Sequence, residues 1–231
     1  MMKQQLFIYG SGRHTVPFLK YMAEATGKPR PNLGFLPTAS GDDKGYIIRF
    51  YETCKHLDVM PHVIGVWVNS YEHPTSFEDR ISQMDAIVVG GGNTLNMLAI
   101  WEAHGIDSAL KKAYENGVVM GGGSAGSLCW FNGGTTDSRP GALSIVKGLA
   151  FVNKSHCPHY NSEPSRRPLY HQNIRTGKLT DGYACDDNCA IHFINGMVHT
   201  SLALDQESHA YHVFLKEGQV REDRIPNRIL V

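Results

Sequence analysis

The chain has 231 residues, enough to bury a substantial core in one α/β domain spanning 1–231. Hydrophobic residues make up 42% and charged residues 19%, globular values that exclude disorder, collagen and coiled coil. Twenty-two basic side chains balance twenty-two acidic ones and no basic run exceeds two residues, so neither nucleic acid nor an anionic membrane is an expected partner. The apolar run Leu6-Phe7-Ile8-Tyr9 is too short for a signal peptide and reads as a first strand. Val16 to Ala25 carries helical spacing, and Leu33 to Leu36 is a second strand stopped by Pro37-Thr38-Ala39-Ser40. Tyr46 to His56 is helical, Val59 to Val68 holds a third strand, and Phe77 to Met84 is a short helix. Ala86 to Val89 is a fourth strand that runs into Gly90-Gly91-Gly92-Asn93-Thr94. Helices follow over Leu95 to Ala103 and Ile106 to Asn116. Val118 to Met120 is a fifth strand, leading into Gly121-Gly122-Gly123-Ser124-Ala125-Gly126. Beyond about residue 140 the pattern turns to strands at Val146 to Val152, Ala190 to Ile194, Met197 to Leu204 and Ala210 to Leu215, with Asn195-Gly196 and Glu217-Gly218 as hairpin turns.

Strands alternating with helices imply crossover connections, hence a mostly parallel sheet with helices on both faces. Ligands of such sheets bind at the carboxyl ends of the strands, where both triple-glycine turns fall. The antiparallel strands of the C-terminal part extend the same sheet or form a small second one. No stretch of about 18 apolar residues suggests a membrane span. The five cysteines, Cys54, Cys129, Cys157, Cys185 and Cys189, are odd in number and scattered, so reduced thiols and a cytoplasmic location are the expectation. No second pair follows Cys185 and Cys189 at zinc spacing, and no metal is expected.

Gly122-Gly123-Ser124-Ala125-Gly126 fits G-x-S-x-G between a strand and a helical stretch, the pattern of a nucleophile elbow. A phosphate loop is the rival reading of a glycine-rich turn, but neither turn has the Gly-Lys-Ser/Thr ending of a P-loop. A serine nucleophile needs a base, an orienter for that base and donors for an oxyanion. Gly91 or Gly92 and the residue after the serine, Ala125, are the candidate donors. Of twelve histidines, His159 in Cys157-Pro158-His159-Tyr160 is the favoured base, because it follows an apolar strand (Leu149 to Asn153) in a polar loop. His156, His171 and His192 are rivals. Asp137, after Thr135-Thr136, is the preferred orienter, with Glu163, Asp186 and Asp187 as competitors.

Taken together, Gly90-Gly91-Gly92-Asn93-Thr94, Gly123-Ser124-Ala125-Gly126, Pro158-His159-Tyr160 and Leu36-Pro37-Thr38-Ala39-Ser40 resemble peptidase family S51, the dipeptidase E and cyanophycinase family. The resemblance covers at least residues 5 to 200. It implies a sandwich similar to class I glutamine amidotransferases (flavodoxin-like), with serine in place of the elbow cysteine and no metal or cofactor. It matches Ser124 to the nucleophile, His159 to the base, Gly92 and Ala125 to the oxyanion hole, and Thr135-Thr136-Asp137 to the segment holding the acid, with a glutamate in some relatives. It also implies an arginine that receives an acidic substrate side chain. Arg166 and Arg167, after Glu163, occupy that region without aligning uniquely. Asn93, Glu163, Arg166 and Arg167 are thus the candidate substrate-binding residues. The expected reaction is acyl transfer from a small peptide to water, by a serine exopeptidase. A cyanophycinase-like or carboxypeptidase-like specificity is the nearest alternative. An esterase or a non-catalytic binding protein on the same scaffold is the more distant one. A homodimer through an edge strand is left open.

Overall fold

The computed structural model describes residues 2–11, 15–67 and 75–230. Five parallel strands form one side of an eight-stranded sheet, out to its edge at β3: β1 (Gln5–Tyr9), β2 (Asn32–Leu36), β3 (Met60–Val63), β4 (Ala86–Val89) and β5 (Val119–Gly123). They lie in the order β1-β5-β4-β2-β3. A second sheet contains β6 (Phe131–Thr136), β7 (Ser144–Val146), β8 (Val152–Cys157) and β9 (Gly182–Cys185). The chain then returns to the first sheet, where β10 (Cys189–Ile194) pairs antiparallel with β1 and β11 (Met197–Ala203) pairs antiparallel with β10. β12 (Ala210–Lys216) and β13 (Gln219–Ile225) complete the six-stranded second sheet, in the order β13-β12-β9-β8-β6-β7. β14 (Asn227–Ile229) closes the first sheet beside β11.

β1 and β4 are buried on both faces, so Leu6 to Tyr9 and Ala86 to Val89 run apolar without interruption. Their alternate residues face opposite ways. Phe7, Tyr9, Val88 and Val119 pack in one cluster with α1 (Val16–Ala25) and α2 (Lys44–Cys54), through Phe18, Leu19, Met22 and Phe50. Leu6, Ile8, Ile87, Val89 and Met120 pack in the other, with α3 (Phe77–Ser82), α4 (Thr94–His104), α5 (Ile106–Glu115) and the short α6 (Ala125–Leu128). Phe131 and Val152 join that second cluster, so the second sheet packs behind the first. α7 (Arg166–Arg175) covers the outer side of the second sheet, where Tyr170 and Ile174 meet Tyr160, Ala184 and Val213.

The fold is therefore the expected α/β sandwich with a mostly parallel main sheet between helices. Both hairpin dipeptides turn as read, with positive φ at Asn195, Gly196, Glu217 and Gly218. Three expectations are corrected. The expected strand over Val146 to Val152 is two strand ends separated by a loop. Gly148 there approaches the backbone so closely that a Cβ would lie 2.4 Å from the Phe131 carbonyl, and Ala150 has φ 56°. The strand that leads to His159 is consequently β8, not Leu149 to Asn153. The third strand ends at Val63, because the carboxylate of Asp42 draws the next turn inward by accepting from the N–H groups of Val66 and Trp67. The final residue of that expected strand, Val68, lies outside the described residues. Among the described residues, no helix is long and apolar enough to cross a membrane.

Candidate active site

Three adjacent parallel strands, β1, β5 and β4, end side by side, so Gly10-Ser11, Ser124 and Gly90-Gly91-Gly92 meet at one edge of the sheet. Ser124 occupies the β5–α6 turn with φ 57° and ψ −118°, a conformation that non-glycine residues rarely adopt. The neighbouring chain leaves no room for side chains. A Cβ at Gly123 would lie 1.8 Å from the Ser11 carbonyl oxygen, and one at Gly126 would lie 2.1 Å from that of Val89. The glycines of the motif therefore allow the tight turn that holds the serine hydroxyl out of the sheet.

His159 arrives from the second sheet. β8 and β9 run parallel, and just beyond their ends the Tyr160 N–H donates to the Cys185 carbonyl at 3.1 Å. β9 passes into β10 through the turn between Cys185 and Cys189, and β10 pairs with β1. That turn is stitched to the first sheet's edge: Gly10 N–H donates to the Cys189 carbonyl and Ser11 N–H to that of Asp187. The topology thus brings Ser124, His159 and Asp187 together from three separate segments. Ser124 Oγ lies 2.8 Å from His159 Nε2, and His159 Nδ1 lies 2.7 Å from Asp187 Oδ1. A carboxylate only accepts, so Nδ1 carries the proton and Nε2 presents its lone pair to the serine hydroxyl. The Asn161 side chain accepts from the Asp187 N–H and fixes the turn from the other side.

The expected acid is corrected on this geometry. Asp137 does not approach His159; its side chain is 67% exposed and lies 3.6 Å from Arg166. The acid against the histidine is Asp187, one of the three competitors. Its neighbour Asp186 turns away and accepts from the His209 N–H, with burial raising its pKa. Glu163 pairs with Arg166 at 2.7 Å.

The substrate-binding candidates all have partners within the protein. Arg166 is buried and bonds Glu163 and the Thr135 carbonyl. Arg167 pairs with Glu222 and lies over the rings of Tyr160 and Tyr211. Asn93 caps α4, accepting from Asn96 N–H and donating to the Ser138 carbonyl. Gly91 N–H is also occupied, donating to Tyr46 Oη at 3.2 Å. Burial pushes the Tyr46 phenol up to about 12, so its proton stays in place. Gly92 sits next to this contact with φ 139°, and a Cβ there would lie 2.2 Å from the Ala39 carbonyl oxygen. Ala125 is the first residue of α6, where no preceding turn supplies an acceptor for its N–H.

Beneath the serine lies a second histidine, His156, which the sequence ranked as a rival base. It is fully buried, and burial holds its pKa down at about 3. Its Nδ1 donates to the Tyr183 carbonyl, which leaves Nε2 to accept from Ser127 Oγ at 3.0 Å. Ser127 Oγ also lies 2.8 Å from the Ser124 carbonyl. The remaining rivals are placed elsewhere, His171 against Glu222 and His192 against Tyr21. Among the described residues, no group of three or more potential ligands could hold a metal ion.

A cleft of about 990 Å³ opens over Ser124 and His159. Gly91 and Gly92 line it on the sheet side, and one face of α2 lines it with Tyr46, Arg49, Glu52 and Thr53, continued by His56 in the turn that follows. None of these five residues was singled out in the sequence. Only their i, i+3, i+7 spacing on a helix that begins after the second strand could have marked them.

The model of peptidase family S51 matches residues 6–201. The chain is 40% identical to the uncharacterized peptidase YgaJ of Bacillus subtilis, over 99% of this chain and 100% of that one. It is 30% identical to Peptidase E of Haemophilus influenzae, over 80% of this chain and 85% of that one. In fold, it is similar to a peptidase from an acI-B1 actinobacterium, with a TM-score of 0.73 at 15% identity, over 98% of this chain and 95% of that one.

Proposed function

The chain belongs to peptidase family S51, and from that membership and the site geometry we propose that it is a serine-type exopeptidase cleaving small peptides through an acyl-enzyme on Ser124. One observation carries the proposal: the unbroken line of contacts from Ser124 Oγ through His159 to Asp187. His159 Nε2 takes the hydroxyl proton as Oγ attacks the carbonyl carbon of the scissile bond. Asp187 holds the imidazole in the productive tautomer and stabilises the imidazolium that forms. The N–H groups of Gly92 and Ala125 receive the carbonyl oxygen as it becomes an oxyanion. Collapse of the tetrahedral adduct breaks the C–N bond, and His159 returns the proton to the departing amine. Water, deprotonated by the same histidine, then hydrolyses the Ser124 ester and restores the serine. The size of the cleft favours a short peptide, and the similarity to a protein named Peptidase E supports the exopeptidase reading.

The test is a library of dipeptides and short peptides read by mass spectrometry. Wild type is expected to cleave a subset, and Ser124→Ala to cleave none. Hydrolysis that persists in a folded Ser124→Ala protein overturns the proposal.

A further inference from the structure

An exopeptidase must tell the end of a chain from its interior, and charge is the clearest difference between them. The cleft wall formed by α2 is polar and charged. Tyr46, Arg49, Glu52 and Thr53 lie at i, i+3, i+6 and i+7, so one helix face turns them into the cavity, and His56 follows in the turn after the helix. The two arginines that the sequence put forward are held by Glu163 and Glu222. Arg49 is held by neither a carboxylate nor a side-chain hydrogen bond among the described residues. Its guanidinium lies 5.4 Å from the centre of the Tyr46 ring. That ring is itself fixed, edge-on to Phe35 with centroids 5.1 Å apart and bonded through its hydroxyl to Gly91. A guanidinium resting on an anchored ring keeps its planar donor fork available for a carboxylate.

We propose that Arg49 binds the free C-terminal carboxylate of a peptide lying in the cleft, an assignment that rests on the serine-peptidase reading above. A pocket for an acidic side chain would enclose its cation. Arg49 instead stands exposed on the open cleft wall. Glu52, one turn further along the same wall, supplies the opposite charge, so a short zwitterionic peptide meets both signs along one helix face.

Matched peptides with a free or an amidated C-terminus test the assignment in wild type, Arg49→Gln and Arg49→Lys. Wild type is expected to show a KM about tenfold lower for the free acid, with kcat nearly equal for the two. Arg49→Gln is expected to raise the KM of the acid to that of the amide and leave the amide unmoved. Arg49→Lys, which keeps the charge and loses the fork, is expected to fall between. Equal KM values in wild type overturn the proposal, as does an acid preference that survives Arg49→Gln. So does a preference that follows an aspartate or glutamate side chain and ignores amidation of the terminus. Calorimetric binding of both peptides to the uncleaving Ser124→Ala protein measures the same preference independently of turnover. If Ser124→Ala cleaves like wild type, the serine mechanism falls, while the acid–amide difference in binding still decides the role of Arg49.

Discussion

Ser124 and His159 both hold left-handed backbone angles, with φ of 57° and 55°. Such angles in non-glycine residues persist only where the surroundings impose them. Here those surroundings aim two side chains at one another. The same precision extends to the glycine loop through Tyr46, whose hydroxyl holds Gly91 and so fixes the N–H of Gly92. Tyr46→Phe keeps the ring packed against Phe35 and removes the hydroxyl that accepts from Gly91. The expected outcome is a fall in kcat of roughly ten- to hundredfold with KM changed little, measured on any cleaved peptide. Unchanged kcat would show that the loop holds its shape unaided. At His159, Asp187→Asn is expected, on the proposed mechanism, to reduce kcat by about a hundredfold or more, because the amide no longer enforces the tautomer. Asp137→Asn is expected to stay within about threefold of wild type, since that carboxylate is exposed and apart from the histidine. The serine and the histidine were legible because each sits in a motif whose local residues announce its backbone. Asp187 was legible only as one of several acids. Its proximity to His159 is created by the return of β9 into β10 across two sheets, a pairing that no local pattern encodes.

At the scale of elements, the acid depends on a turn that is itself held by the first strand. Gly10 presses on that turn so tightly that an added Cβ would meet the Asp186 carbonyl oxygen at 2.2 Å and that of Cys185 at 2.7 Å. Gly10→Ala must push the Cys185-to-Cys189 turn outward and carry Asp187 with it. The expected result is a loss of kcat of at least tenfold in a protein that still binds peptide. Activity close to wild type would mean that the turn absorbs the methyl group without moving the carboxylate. The elements themselves divide by legibility. β1 and β4 were readable because burial on both faces makes them continuous apolar runs, and β5 because Val118 to Met120 leads straight into a triple glycine. β6 was not, because Phe131-Asn132-Gly133-Gly134-Thr135-Thr136 has weak strand propensity and is held by its neighbours. α7 escaped for a similar reason: its sequence is rich in charge, and its buried face is made of Arg166, Tyr170, Asn173 and Ile174. Tertiary contacts that no local sequence pattern reports decide both elements.

Across the whole molecule, buried titratable groups tie stability to pH. His156 is locked between Ser127 and the Tyr183 carbonyl with its pKa held down at about 3, whereas an unfolded chain protonates histidine near 6.5. Below that value the unfolded state binds a proton that the folded state refuses. The contribution of His156 is therefore complete above about pH 6.5 and is lost progressively as pH falls toward 3. Glu222 adds a second, lower window. Burial pushes its carboxyl up, but hydrogen bonds from His171, Arg167 and Tyr160 outweigh that and hold it at about 2. Its contribution is complete above about pH 4.5, the ordinary glutamate range, and is lost as pH falls toward 2. Because Glu222 clamps α7 and Tyr160 to β13, that loss loosens the segment carrying His159. Denaturant titrations at a series of pH values separate the two. Wild type is expected to lose stability from about pH 6.5 downward, by a few kcal/mol in total before pH 4. His156→Gln preserves a donor for Tyr183 and an acceptor for Ser127 without a titrating proton. It is expected to make the slope between pH 6.5 and 4.5 shallower, with the remainder from His192, which burial holds at about 4, and to leave the decline below 4.5. A slope unchanged in His156→Gln would place the acid sensitivity in groups other than the histidine beneath Ser124.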